Sequence, residues 1–162
     1  MLTFAANILA LMNKSIFEKT VLPQIGITAK LAGFYISDFF HENNIDLSKE
    51  QWLILKKLNE KDGQVQNDLA IITNRSKTSL TRLINTIEKK GLVHRVPSKE
   101  DKRINHIFLT DKGKELFIRS LPVLQELIAK LQEGISKEEL NITIKVLTRI
   151  QNNIRKHHLN IN

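Results

Sequence analysis

The chain has 162 residues, 41% of them hydrophobic and 26% charged, a balance suited to one globular domain with a single core rather than to disorder. It contains no cysteine, which excludes disulfides, thiolate zinc sites and cysteine-based redox sensing and fits a reducing cytoplasm. The net charge of +8 is uneven: residues 1–63 balance at seven Lys/Arg and seven Asp/Glu, residues 64–110 hold nine against four, and residues 111–162 hold nine against six, so the surplus is densest in the middle, where a polyanion-binding face needs it.

The opening run from Met1 to Met12 is apolar but too short to span a bilayer, and it lacks the basic start and small-residue cleavage site of a secretion signal. No membrane association is therefore expected. Met12 is a second candidate start. Residues 3–20 suit a short helix ended before Pro23, and residues 1–22 stand as an N-terminal extension of open role ahead of a main domain over 23–158. From Ile25 to about Asn43, the spacing of Ile27, Leu31, Phe34, Ile36, Phe39 and Phe40 predicts a largely buried helix. Ser48, with Gln51 three residues on, forms a capping box. The helix it opens carries Trp52, Leu53, Leu55 and Leu58 and stops before the turn signal Asp62-Gly63.

The stretch from Val65 to Thr110 reads as a helix-turn-helix and a wing, over about 66–90 and 92–109. A first helix spans Gln66 to Ile72, and a turn through Thr73, Asn74 and Arg75 leads to a second, Ser76 to Lys90, closed by Gly91. Asn74 suits the left-handed backbone that tight helix–helix turns use. Strands over Leu92–Val96 and Ile104–Leu109 flank the tip Pro97-Ser98-Lys99-Glu100-Asp101-Lys102-Arg103. In this arrangement the second helix fits the major groove of DNA. Leu80, Leu83, Ile84 and Ile87 form its buried stripe. Thr78, Arg82, Asn85 and Lys89 lie opposite, with Thr81 at one edge. Arg82 can grip guanine and Thr78 a base edge, while Ser76 and Lys77 at the helix start suit phosphates. In the wing, Arg95, Lys99, Lys102 and Arg103 supply charge, and Arg103 at the tip can enter a minor groove. Asp101 is placed to brace the Arg103 guanidinium through a bidentate pair. Each residue taken singly also fits an ordinary solvated face; the ensemble favours DNA contact.

Thr110 is expected to cap a long helix bearing Leu116, Phe117, Leu121, Leu124, Leu127, Ile128 and Leu131, kinked at Pro122 and ended by Gly134. Ser136 and Glu139 form another capping box, with Ile135 and Leu140 as a staple. Leu140, Ile144, Leu147, Ile150 and Ile154 stripe the last helix. Apolar terminal helices of this length exceed what the small central module can cover. A two-fold homodimer is expected, against a monomer whose ends fold back on themselves.

The run from Leu69-Ala70 through SKTSLTRLINTIEKKGLVHR and EDKRINHIFLTDKGKEL closely resembles the MarR family of bacterial winged-helix regulators. The carriers are Gly91-Leu92-Val93 with Arg95, Asp101-x-Arg103, and Leu109-Thr110 with Gly113. The resemblance spans about Ile25 to Ile154. It implies a mainly α fold: a winged helix-turn-helix with a two-stranded wing and long terminal dimerisation helices, here about 25–43 and 111–156. It further implies a homodimer on double-stranded, pseudo-palindromic operator DNA, commonly a repressor released by a small, often aromatic ligand. Carried onto this chain, the recognition residues are Ser76, Lys77, Thr78, Ser79, Thr81 and Arg82, and the wing pair is Asp101 and Arg103. Three features depart from the family: Asn74 stands where many members have Gly, residues 1–22 extend past the usual start, and the cysteine of the redox-sensing branch is missing. The five histidines (His41, His94, His106, His157, His158) have no compact ligand spacing beyond the terminal pair, so neither a metal nor another cofactor is expected. No phosphate loop, nucleophile elbow or zinc-protease motif points to an enzyme. The alternative is a winged helix turned to protein–protein contact without ligand response. Residues Phe34 to Phe40 suit a ligand pocket or a dimer core, and core is the preferred reading.

Overall fold

The computed structural model describes residues 17–73 and 75–157. Asn74, His158 and most of the helix expected over 3–20 lie outside the described residues. The elements run α1 (Val21–Glu42), α2 (Lys49–Glu60), β1 (Gln64–Val65), α3 (Gln66–Ile72), α4 (Lys77–Lys89), β2 (Val93–Pro97), β3 (Asn105–Leu109), α5 (Asp111–Leu131) and α6 (Lys137–His157).

The first described helix begins earlier than its apolar pattern indicated. Thr20 caps α1 by accepting the Leu22 N–H, and Pro23 falls in the first turn, where its missing N–H would have had no helical partner. Pro23 therefore lies inside the first turn of α1 rather than ahead of it, and the break from the helical residues 17–18 falls at 19–20. Burial of α1 also differs from expectation. Phe39 and Phe40 are buried, but Ile27, Leu31 and Phe34 are 53%, 62% and 58% exposed, because among the described residues no element covers that face.

Helix α2 opens with the expected capping box: the Gln51 N–H donates to Ser48 Oγ at 3.2 Å and the Ser48 N–H to Gln51 Oε1 at 3.1 Å. Its buried side, Ile54, Leu55 and Leu58, meets Leu69, Leu80, Ile84, Ile107 and Phe117 in one core. Trp52 joins α2 to α5, its Nε1–H donating to Ser120 Oγ at 2.7 Å while its ring lies 5.7 Å from that of Phe117. The wholly buried Ser120 hydroxyl donates onward to the Phe117 carbonyl at 2.6 Å, so the polar pair is satisfied inside the core. Pro122 is exposed, and α5 runs unbroken past it from Asp111 to Leu131.

The sheet has the order β1-β3-β2, all antiparallel. The wing strands sit one residue later at their starts than the sequence pattern put them, with Val93 opposite Leu109 and Pro97 opposite Asn105. Strand β1, absent from the sequence reading, pairs Gln64 with Ile107 and Val65 with His106 and ties the wing base to the start of α3. Helix α6 opens with the Ser136–Glu139 capping box but has no buried residue. An apolar groove of about 550 Å³, lined by Ile25, Ala29, Val146 and Ile150 among others, lies between it and the first half of α1.

Candidate nucleic-acid interface

Helix α4 is the element on which the site is built. Ser76 caps it, accepting the Ser79 N–H at 3.2 Å, and no acidic residue stands in the first turn to offset the positive end of the helix dipole. Leu80, Ile84 and Ile87 are buried and Leu83 half-buried, as their spacing required. Lys77, Thr78, Thr81, Arg82, Asn85 and Lys89 are exposed, and Ser79 is half-buried. The far end of the helix is fastened to the scaffold. Lys90 Nζ donates to the Asp46 carbonyl at 2.9 Å, to Asp46 Oδ1 at 2.8 Å and to Gln51 Oε1 at 3.2 Å, and Lys112 Nζ donates to the Lys90 carbonyl at 2.8 Å. Gly91 then turns the chain at a φ of +71°, where a side chain would be strained.

Arg75 lies just ahead of α4, between Ser79 Oγ at 3.4 Å and the Glu50 carboxylate at 3.7 Å. Burial pushes the Glu50 carboxyl up, but its own backbone N–H, the Ser48 hydroxyl and the charges of Arg75 and Lys49 outweigh that and hold it below the usual carboxylate range.

The wing tip is closed by its own side chains. Ser98 Oγ accepts the Glu100 N–H at 3.2 Å, and Asp101 Oδ1 accepts the Arg103 backbone N–H at 2.9 Å. The Asp101 brace therefore acts on the backbone of Arg103, correcting the expected bidentate grip on its guanidinium. A carboxylate two residues back reaches the i+2 amide more readily than the end of a long side chain. Lys99, Lys102 and Arg103 are exposed at this tip.

Arg95 is placed differently from the other cations. It is half-buried and donates to Gln66, Asn85 and Glu88. Thr81, though exposed, has its hydroxyl engaged, donating to the Lys77 carbonyl at 2.9 Å and accepting from Gln66 Nε2 at 3.0 Å. Sequence reasoning passed over Gln66, Glu88 and Arg75. For Glu88 there was a signal, an acid near the end of the recognition helix with an arginine early in the following strand. For Gln66 there was none. Among the described residues no cluster of three or more His, Asp or Glu side chains offers a metal site, and no helix is long and apolar enough to cross a membrane.

A capped helix docked on a short one, followed by an antiparallel wing with a cationic tip, defines a winged helix-turn-helix protein. The MarR family model matches residues 47–104, which hold α2 to the wing tip. The uncharacterized HTH-type transcriptional regulator YybA of Bacillus subtilis (strain 168) is 27% identical over 140 residues, covering 84% of this chain and 89% of that protein. A solved protein assigned to the MarR family, from Listeria monocytogenes and complexed with 26-mer DNA, is 27% identical at a TM-score of 0.72, over 87% of this chain and 93% of that one. The heme sensor protein PefR, in complex with heme and carbon monoxide, is 27% identical at a TM-score of 0.64, over 84% and 95%. Over its winged helix-turn-helix the chain is similar to regulators of the MarR family.

Proposed function

We propose that the chain is a sequence-specific, DNA-binding transcriptional regulator that works as a homodimer, without enzymatic activity, in the cytoplasm. What carries the reading is the pattern of free charge. Lys77, Arg82 and Lys89 on α4 and Lys99, Lys102 and Arg103 on the wing are exposed and have no ion-pair partner among the described residues; unpaired cations also occur elsewhere, Lys30, Lys61 and Lys145 among them, but these six gather on one helix and one hairpin tip. Unpaired cations on a groove-sized helix and a hairpin tip are what a phosphate-lined duplex recruits. In this reading Arg82 and Thr78 meet base edges, Ser76, Lys77, Ser79, Thr81, Lys99 and Lys102 lie along the backbone, and Arg103, set by Asp101, enters the minor groove.

Dimerisation is supported by the bare α6. Ile142, Ile144, Val146 and Ile154 are between 42% and 61% exposed in a single chain, more apolar surface than a lone helix sustains in water. A second copy brings two recognition helices onto one face, matched to a pseudo-palindromic operator. Repression relieved by a small aromatic ligand, the kind of effector that the family resemblance implies, completes the proposal; PefR's heme complex is a precedent for small-molecule binding in this fold. The domain division follows: an extension over 1–22, the winged helix at the centre and dimerisation helices on either side.

The test is selection of bound duplexes from a random DNA pool, followed by titration of the selected and a scrambled duplex. Enrichment of an inverted repeat bound at least about a thousandfold more tightly than the scrambled duplex is expected. Equal affinity for both would overturn sequence-specific recognition.

A further inference from the structure

Every nitrogen of the Arg95 fork is committed inside the chain. Nε donates to Gln66 Oε1 at 3.1 Å, Nη2 donates to Asn85 Oδ1 at 2.6 Å, and Nη1 donates to Glu88 Oε2. The Arg95 backbone N–H donates to the other Glu88 oxygen at 3.1 Å, so helix α4 grips strand β2 at two points through one carboxylate. Gln66 passes the connection on, its Nε2 donating to Thr81 Oγ1 at 3.0 Å. One planar side chain thus links the first residue of α3, two turns of α4 and the wing strand. A lysine has a single nitrogen and cannot hold three acceptors in that fixed plane.

From this we infer that Arg95 is a positioning residue rather than a DNA contact: with Glu88 and Gln66 it sets the angle between wing and recognition helix, and hence the spacing between minor-groove and major-groove contacts. Glu88 keeps Arg95 in that role. An Arg95 drawn off to a phosphate leaves Glu88 without its partner at a face that meets a polyanion, which opposes the exchange. The inference rests on the DNA-binding reading above.

The experiment uses the full chain and the selected duplex, with Arg95→Ala, Arg95→Lys, Glu88→Gln and the Arg95→Ala/Glu88→Gln double variant. Binding is titrated across several salt concentrations, guanine N7 protection reports the major groove, and hydroxyl-radical footprinting reports the minor groove. Arg95→Ala is expected to weaken binding roughly tenfold to a hundredfold, as loss of charge-assisted hydrogen bonds does. It should erase the wing's minor-groove footprint, keep the N7 protection and leave the salt slope at the parent value. Glu88→Gln should reproduce that pattern although it removes no positive charge, and the double variant should add little. Arg95→Lys should recover only part of the loss.

A salt slope lower by about one unit with the footprint intact makes Arg95 a phosphate contact and overturns the inference. Equal loss of both protections with a lower melting temperature makes it a general stability residue, and overturns it too. If the unsubstituted chain binds no duplex, the DNA reading fails first. Hydrogen exchange then judges the brace alone: the residue 95 amide must exchange faster in Glu88→Gln than in the parent, and an unchanged rate overturns it.

Discussion

A Cβ placed on Gly113 falls 2.1 Å from the carbonyl oxygen of Leu92, well inside van der Waals distance. The first turn of α5 therefore lies directly against the peptide that joins recognition helix to wing. Thr110 fixes the approach, its hydroxyl donating to the Gly91 carbonyl at 2.7 Å and its N–H to the Leu92 carbonyl at 3.1 Å. Any side chain at 113 must push backbone apart. Gly113→Ala is expected to cost about 1–3 kcal/mol, as overpacking does, and to lower the melting temperature by several degrees. Thermal denaturation measures it, and an unchanged melting temperature would mean that α5 yields freely.

The bare stripe of α6 gives a second expectation. Removing residues 136–162 takes away the exposed Ile142, Ile144, Val146 and Ile154, and with Ile142, Val146 and Ile150 one wall of the groove against α1. The truncated chain should aggregate or run as a monomer that no longer binds the selected duplex. Light scattering and a binding titration decide the matter. A well-folded truncated monomer with parent affinity counts against the dimer.

Much of this fold was legible in the chain because its signals are local. Capping at Ser48, Thr110 and Ser136 needs only a hydroxyl at the right place, sometimes with a partner three residues on, and each cap forms in the structure. The stripe of Leu80, Ile84 and Ile87 is a one-helix pattern and was equally readable. Non-local relations were not readable. Strand β1 has two residues, too few for alternation to register, and exists because β3 offers it an edge. Arg95 carried the charge of a DNA contact, but its guanidinium is bonded to Gln66, 29 residues away. Pro23 misled because proline breaks a helix in its interior and is tolerated in its first turn, and only the Thr20 cap distinguishes the two.

Glu50 supplies a pH prediction. Burial raises its pKa, but its backbone N–H, Ser48 and Arg75 more than offset this, so the folded value lies below the unfolded one. A depressed carboxylate stabilises the fold above the unfolded pKa, about 4.3, and that contribution fades as pH falls through the folded value. Chemical denaturation from about pH 6 to about pH 3 should show stability falling less steeply in Glu50→Gln than in the parent. Parallel curves would mean that Glu50 contributes nothing to acid unfolding.

In the wing, Asp101 and Arg103 should separate cleanly. Arg103 is exposed and free of ion pairs among the described residues; if it enters the groove as proposed, Arg103→Ala should weaken operator binding by about 1–3 kcal/mol. Asp101 holds the backbone of Arg103, so Asp101→Ala loosens the tip and should cost less. Both variants should keep the parent mass and helix content. Parent-like affinity in Arg103→Ala at matched salt removes the minor-groove assignment.

The last prediction divides sequence reading from charge attraction. Arg82 and Thr78 are exposed on the outward face of α4, opposite the buried Leu80 and Ile84, where base edges come within reach. Lys102 is exposed at the wing tip, where the proposed reading sets it along the DNA backbone. Arg82→Ala should therefore lower affinity for the selected duplex by about 1–3 kcal/mol and leave scrambled DNA nearly untouched. Lys102→Ala should weaken both duplexes alike and reduce the salt slope by about one unit, because one cation no longer neutralises a phosphate. Titration of both duplexes across a salt series separates the two effects. Equal losses on both duplexes in Arg82→Ala would make that residue a phosphate clamp. If neither variant changes binding, α4 does not face DNA, and its exposed side is better read as a surface for another protein.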